Sequence, residues 1–353
     1  MEERSYEFLR RLIETPSPSG FEGPVQKIWK EYTSGFADRV WTDLHGNTIA
    51  SKNEGGSPRV LFAGHCDELG FMVTYINDEG YLYFKTIGGF DLNIVPGRRV
   101  QIHTKNGPVF GVIGRKAVHL MDEEERKKPV ELHTLWIDIG AKDKEEASRL
   151  VSIGDPVTYT VGLERLQGDL AVGRGFDDRA GAFAVAEALR LLSEDPPEAA
   201  VFAVSTVQEE VGRRGAATST FGLEPKVGIA VDVIHASDHP EVDKRKAGEV
   251  KLGGGPVISK GADINPVVAD MLVRTAEEEG IPYQMEGSPR DSGTDAHAIQ
   301  VSRAGVASGV VSIPLRYMHT PVEVLSLTDL ENVAKLLAAF ARRITEETEF
   351  VPW

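Results

Sequence analysis

The sequence predicts an α/β protein: a three-layer α/β/α domain on a mostly parallel central sheet, with a small β-barrel-like domain inserted into it. Three observations carry that prediction. Beyond Gly168, short apolar runs alternate with helical patterns, which is how a parallel sheet covered by helices is written in sequence. Between residues 71 and 163 the alternation gives way to closely spaced short β runs, the texture of a small barrel or sandwich. The chain is also 353 residues long, beyond the roughly 250–300 residues at which single cores stop growing. The expected organisation is a split α/β domain, residues 1–70 and 164–353, enclosing a β domain at 71–163.

Taken in order, Tyr6, Leu9, Leu12 and Ile13 recur at helical spacing and stop at TPSPSG, whose prolines and glycine break a helix. Val25, Ile28, Trp29 and Tyr32 mark a second helix. NTIASK and RVLFAG read as strands, the latter apolar enough to lie centrally in a sheet. In the insertion, FMVTYI, YLYFKTI, RRVQIHTKNGPVFGVIG, TLWIDIG and DPVTYTV are β runs, with Asn106-Gly107 as a hairpin turn and DKEEASRLV as the one expected helix. The α/β pattern then resumes. RAGAFAVAEALRLL is a helix, AAVFAVSTV and VGIAVDV are strands, PVVADMLVRTAEEEG and AHAIQVSR are helices, and SGVVSIP is a strand. A closing amphipathic helix starts at Ser326, with Asp329 three residues on as in a capping box.

Composition narrows the class. Hydrophobic residues at 41% and charged residues at 26% are globular values, and a net charge of −15 argues against nucleic acid or an anionic membrane as partner. The single cysteine, Cys66, allows no internal disulfide and points to the reducing cytoplasm. No signal-peptide pattern opens the chain, and no apolar run approaches the ~20 residues of a membrane span.

In open α/β sheets ligands bind beyond the carboxyl ends of the strands. After RVLFAG come His65, Asp67 and Glu68; after AAVFAVSTV come Glu209 and Glu210; Asp232 follows GIAV, and His319 follows the last strand. Asp177 and Asp178 stand at the entrance of a helix, where its dipole tolerates carboxylates. Singly, each has a dull explanation: Glu209 and Glu210 read as a solvated strand end, and the aspartates as helix caps. Together at one sheet edge, two imidazoles and at least three carboxylates suit zinc, whose catalytic sites take nitrogen and oxygen ligands and keep a position for water. Cys66 should pack on the opposite face of its extended segment. His45, His103, His119, His133 and the HASDH stretch are read as structural or surface residues.

GHCDELGFMV, GRGFDDRAGAFAV, VQEEVGRRGA, AVDV, GTDAHAI and IPLRYMHTPVEV, in this order and across nearly the whole chain, resemble the tetrahedral (TET) aminopeptidases, which include glutamyl and deblocking aminopeptidases. The resemblance implies a dinuclear metallo-aminopeptidase acting on short peptides, with two divalent ions per subunit, zinc or cobalt. It also implies a β domain used in dimerisation and a homo-oligomer, a dimer building block for a tetrahedral dodecamer. Carried over by position, His65, Asp177, Glu210, Asp232 and His319 would hold the metals, Asp177 bridging them. Glu209 would be the general base and Asp67 would orient the His65 ring. Asp178 and Arg179 would support the bridging carboxylate. The two glutamates would face opposite sides of an extended segment. His297 either lines the specificity pocket or faces solvent.

Two other readings share these residues. A carboxypeptidase or deacylase would use the same ligands, and a non-catalytic metal-binding protein would keep the fold without turnover. A glycosidase would work with two metal-free carboxylates and leave the histidines unexplained.

Overall fold

The computed structural model describes residues 1–353. The chain forms two compact units: Met1–Glu68 with Gly162–Met318 and Val322–Trp353, and Leu69–Val161 with His319–Pro321.

The larger unit is built on an eight-stranded sheet in the order Arg39–Thr42, Thr48–Lys52, Ala200–Thr206, Arg59–His65, Val227–His235, Ala307–Leu315, Val257–Gly261, Gln284–Ser288. Its four central strands are parallel, and antiparallel pairs flank them on both sides. Parallel pairing suits runs that are apolar along their length: every residue of Ala200–Thr206 is buried. Successive side chains leave a strand on opposite faces. Phe62, Val201, Ile229 and Val311 thus enter one core with Leu12, Trp29, Phe183 and Leu336. Their neighbours Leu61, Phe202, Ala230 and Val310 enter a second with Ala216, Leu223 and Ile299. One sheet between two cores is the three-layer arrangement.

The helix Phe176–Glu194 packs close against the sheet. A Cβ on Gly64 would lie 2.4 Å from the carbonyl carbon of Gly181, so only glycine allows that approach. It brings the first turn of the helix, with Asp177 and Asp178, to the carboxyl end of Arg59–His65. At the closing helix Leu327–Arg342, the Ser326 hydroxyl accepts from the Asp329 amide as the sequence predicts. The Asp329 carboxylate, however, accepts from the amides of Gly253 and Gly255 and ties down a distant loop.

The smaller unit is a closed six-stranded barrel in the order Gly70–Ile76, Leu82–Ile87, Leu135–Asp138, Gly107–Arg115, Arg99–Thr104, Pro156–Tyr159. Asn106-Gly107 turns the hairpin between Arg99–Thr104 and Gly107–Arg115. Inward-facing Phe71, Phe84, Val100, Ile102, Ile137 and Val157 fill it, and closure removes the unpaired edges an open sheet would carry. Lys144–Leu150 is the helix predicted from DKEEASRLV, capped by Asp143. A second, Glu123–Lys127, is wholly polar and so has no apolar period to reveal it. Its signal is the Asp122/Glu125 capping box. No helix of the chain is long and apolar enough to cross a membrane.

Candidate active site

The parallel strands deliver their polar ends to one edge. His65 is the last residue of its strand and Asp232 lies within Val227–His235. Asp177 and Asp178 fall in the first turn of Phe176–Glu194 and have non-helical backbone angles, following left-handed Gly175. Ligand atoms of His65, Asp177 and Glu210 lie within 4.8 Å of one another, as do those of His65, Asp178 and Asp232. Three of the predicted ligands, Asp177, Glu210 and Asp232, are therefore gathered around a fourth, the His65 imidazole. His319, with φ 63°, belongs to neither group and falls in the segment His319–Pro321 that clusters with the smaller unit.

The His65 ring is held from both sides. Its Nδ1 lies 3.1 Å from the Asp67 carbonyl oxygen and 3.5 Å from Asp67 Oδ1. Its Nε2 lies 3.3 Å from Asp177 Oδ1 and 3.9 Å from Glu209 Oε2. Asp178 accepts from the His65 amide at 3.1 Å and from the Gly181 amide at 3.0 Å, locking strand end to helix start.

Glu209 and Glu210 are not separated by strand alternation. The strand stops at Thr206, Gln208 turns left-handed at φ 57°, and the amides of Gly212 and Arg213 close back on the Glu209 carbonyl. A turn, not a pleat, sets the two carboxylates apart. Arg213 Nε lies 3.5 Å from Glu209 Oε1, and its Nη1 lies 2.7 Å from Asp291.

Burial decides the electrostatics. Desolvation pushes Asp178, Asp232 and Glu210 well above the ordinary carboxylate range, reinforced by the neighbouring negative charges of Asp232, Asp177 and Asp177 respectively. Glu209 is raised to about 8, again chiefly by burial. Asp295, buried behind them and bonded to Thr206 Oγ1 at 2.6 Å, is raised to about 6 for the same reason, and its Oδ1 has no protein partner. Burial lowers the His65 pKa, but hydrogen bonds and charge from Asp177 and Asp67 outweigh it and hold the ring well above its usual value. The His65 imidazole by itself cannot neutralise the buried carboxylates gathered around it. A nitrogen-and-oxygen donor set with surplus negative charge fits divalent cations of the zinc type.

Arg179 does not support Asp177. It is fully buried and donates to Glu68 and to the carbonyls of Leu12, Thr15, Arg174 and Gly175. Glu68, a ligand-type residue by sequence, is thereby taken out of the cluster as the partner of Arg174 and Arg179. Beside Glu209 and Glu210 opens a cavity of about 800 Å³, lined by Arg213, Phe221, His297 and Arg303 among others. His297, about half exposed, is thus a cavity residue, 3.6 Å from Asp291.

Residues 46–336 match the family model described as M42 glutamyl aminopeptidase. The chain belongs to the M42 aminopeptidase family. It is 36% identical to the lysyl aminopeptidase of Pyrococcus furiosus, over 98% of this chain and 99% of that one. Among solved structures it is similar to a TET aminopeptidase from a marine sediment Thaumarchaeota archaeon, with TM-score 0.93, 37% identity and 97% of each chain covered. It is also similar to the TET1 peptidase of Pyrococcus horikoshii, described as assembling into a tetrahedron or a large octahedral shell, with TM-score 0.86, 34% identity, and 96% of this chain and all of that one covered.

Within this M42 aminopeptidase, sequence reading missed three buried groups around the cluster, Glu22, Asp295 and Glu323, and the partly exposed turn residue Arg213. Glu323 accepts from the Asp177 amide at 3.2 Å across 146 residues of chain. None of these has a local pattern that separates it from an ordinary surface charge.

Proposed function

We propose that the chain removes N-terminal residues from short peptides, with two divalent ions, zinc or cobalt, held by His65, Asp177, Glu210, Asp232 and His319. The observation that carries this reading is the cluster of buried, mutually repelling carboxylates around His65 at the strand ends. Bound there, the two ions would supply Lewis acidity for the scissile carbonyl and the attacking water. Asp177, beside His65 and Glu210, would be the ligand shared by the two ions. Asp67 orients His65 by its contacts at Nδ1, leaving Nε2 for the cation. Glu209, beside the cluster and bordering the cavity, takes the proton from the attacking water on its carboxylate and passes it to the departing amine.

The β unit is proposed to pair with a second copy, as the building block of a tetrahedral dodecamer. Exposed Phe110 and Val112 on its strand Gly107–Arg115 support this, as does the assembly described for the TET1 peptidase. The lone buried Cys66 agrees with a cytoplasmic setting.

The test pairs an aminoacyl anilide with its N-acylated counterpart, using metal-loaded protein. Hydrolysis of the free-amino substrate alone is expected. Hydrolysis of the acylated one alone would replace this reading with a deacylase.

A further inference from the structure

The turn that carries the two glutamates has an unusual set of hydrogen-bond partners. Four consecutive amides, Val207 to Glu210, are each accepted by a side-chain oxygen, and every acceptor comes from the first 70 residues. Asn47 Oδ1 takes the Val207 amide at 3.1 Å. Glu22 Oε1 takes that of Gln208 at 3.2 Å. The two oxygens of Asp67 take those of Glu209 and Glu210 at 3.0 and 3.2 Å.

Glu22 is the least expected of the three. It precedes the helix Gly23–Thr33, is buried to 7% exposure, and also accepts from the Gly20 amide at 2.8 Å. The same TPSPSG turn that reads only as a helix breaker places it there: Ser17 bonds to Glu68 and Cys66, and Ser19 donates to Asp67 at 2.7 Å. A buried glutamate with no cationic partner within hydrogen-bond reach costs stability, and a neutral acceptor would satisfy the same amides. What Glu22 does fix is Gln208, the one residue of 207–210 held at positive φ. That backbone angle decides where the next two carboxylates point.

We infer that Glu22 is a positioning residue for the general base: by holding the Gln208 amide it keeps the turn 207–210 in the conformation that aims Glu209 at the attacking water and Glu210 at the cation. The inference rests on the proposed peptidase reading and on Glu209 as its base. A misplacement of about 1 Å at a reacting group can cost on the order of 100-fold in rate.

The experiment compares Glu22→Ala, Glu22→Gln and Glu22→Asp in the metal-loaded protein, with Glu209→Gln as control. It reads kcat and KM on an aminoacyl anilide, bound metal, and amide hydrogen exchange of the peptide spanning 206–214. Glu22→Ala should lower kcat about 10- to 100-fold with KM nearly unchanged, and exchange in 207–210 should quicken while the other strands stay protected. Glu22→Gln, which keeps an acceptor oxygen in place, should retain kcat within about threefold of the parent. Glu22→Asp, which keeps the charge but falls short by a methylene, should lose more than Glu22→Gln. Parental kcat in Glu22→Ala, or a loss explained fully by a smaller folded fraction, would overturn the inference. So would Glu22→Gln falling below Glu22→Asp, because charge and not geometry would then matter. If Glu22→Ala does not fold, the Gln and Asp variants decide by their order. A parental rate in Glu209→Gln would instead remove the base assignment, a result distinct from any of these.

Discussion

Asp67 and Glu68 are neighbours in the chain and both buried, and they lie among different neighbours. Glu68 sits between two guanidiniums, Arg174 and Arg179, and accepts the Ser17 amide as well. Burial alone would raise its pKa, but the two arginines outweigh burial and hold it below the usual range. Asp67 borders the cluster around His65, where burial and mutual repulsion push Asp178, Asp232, Glu209 and Glu210 all up. Where the chain supplies its own counter-charge, the group is structural; where it does not, the missing charge comes from outside.

The largest effect that should separate the two cases is removal of that outside charge. Chelation should abolish anilide hydrolysis, and re-addition of zinc or cobalt should restore it, followed by steady-state rates. Next in size, Glu209→Gln should lower kcat by about 100- to 10,000-fold, the usual range for a lost general base, with metal content retained. Glu210→Ala, by contrast, should lose metal affinity, read by calorimetric titration. On the compensated side, Glu68→Gln leaves two buried arginines short of their partner and should cost about 3–5 kcal/mol of stability without touching the chemistry of the folded enzyme. Denaturant unfolding together with specific activity per folded molecule checks this.

The smallest effect is a difference in pH slope. The folded pKa of Glu68 is depressed, so its stabilisation is complete above the unfolded carboxyl value near ~4.3 and is lost as pH falls from there through the folded value. In the metal-free protein the cluster has the opposite sign. Its raised carboxylates, and His65 with them, favour the folded state while protonated, and that contribution is lost as pH rises through their folded values, about 8 for Glu209. Metal-free protein should therefore lose stability from mildly acidic to alkaline pH, and metal-loaded protein should not. Thermal midpoints against pH in the two forms measure it.

What was legible in the sequence follows from range. The α/β alternation, the Asn106-Gly107 hairpin and the Ser326 cap are local patterns, and each is present. The convergence of His65, Asp177, Glu210 and Asp232 was legible because strand ends in a parallel sheet share an edge. The supporting contacts were not. Glu68 finds Arg174 across 106 residues, Glu22 finds the Gln208 amide across 186, and Glu323 finds that of Asp177 across 146. The left-handed turn at Gln208 had no glycine to announce it. Arg179, adjacent to the aspartates in sequence, turned out to serve Glu68, since a helix start sends successive side chains in different directions.

The central claim is that this cluster is built for divalent cations. Titrating stripped protein with zinc in a calorimeter, at neutral pH, tests it most directly. Two equivalents per chain are predicted for the parent, and less than two for Asp232→Asn. No binding by the parent, or binding unchanged when Asp232 and Glu210 are both replaced, would contradict the account.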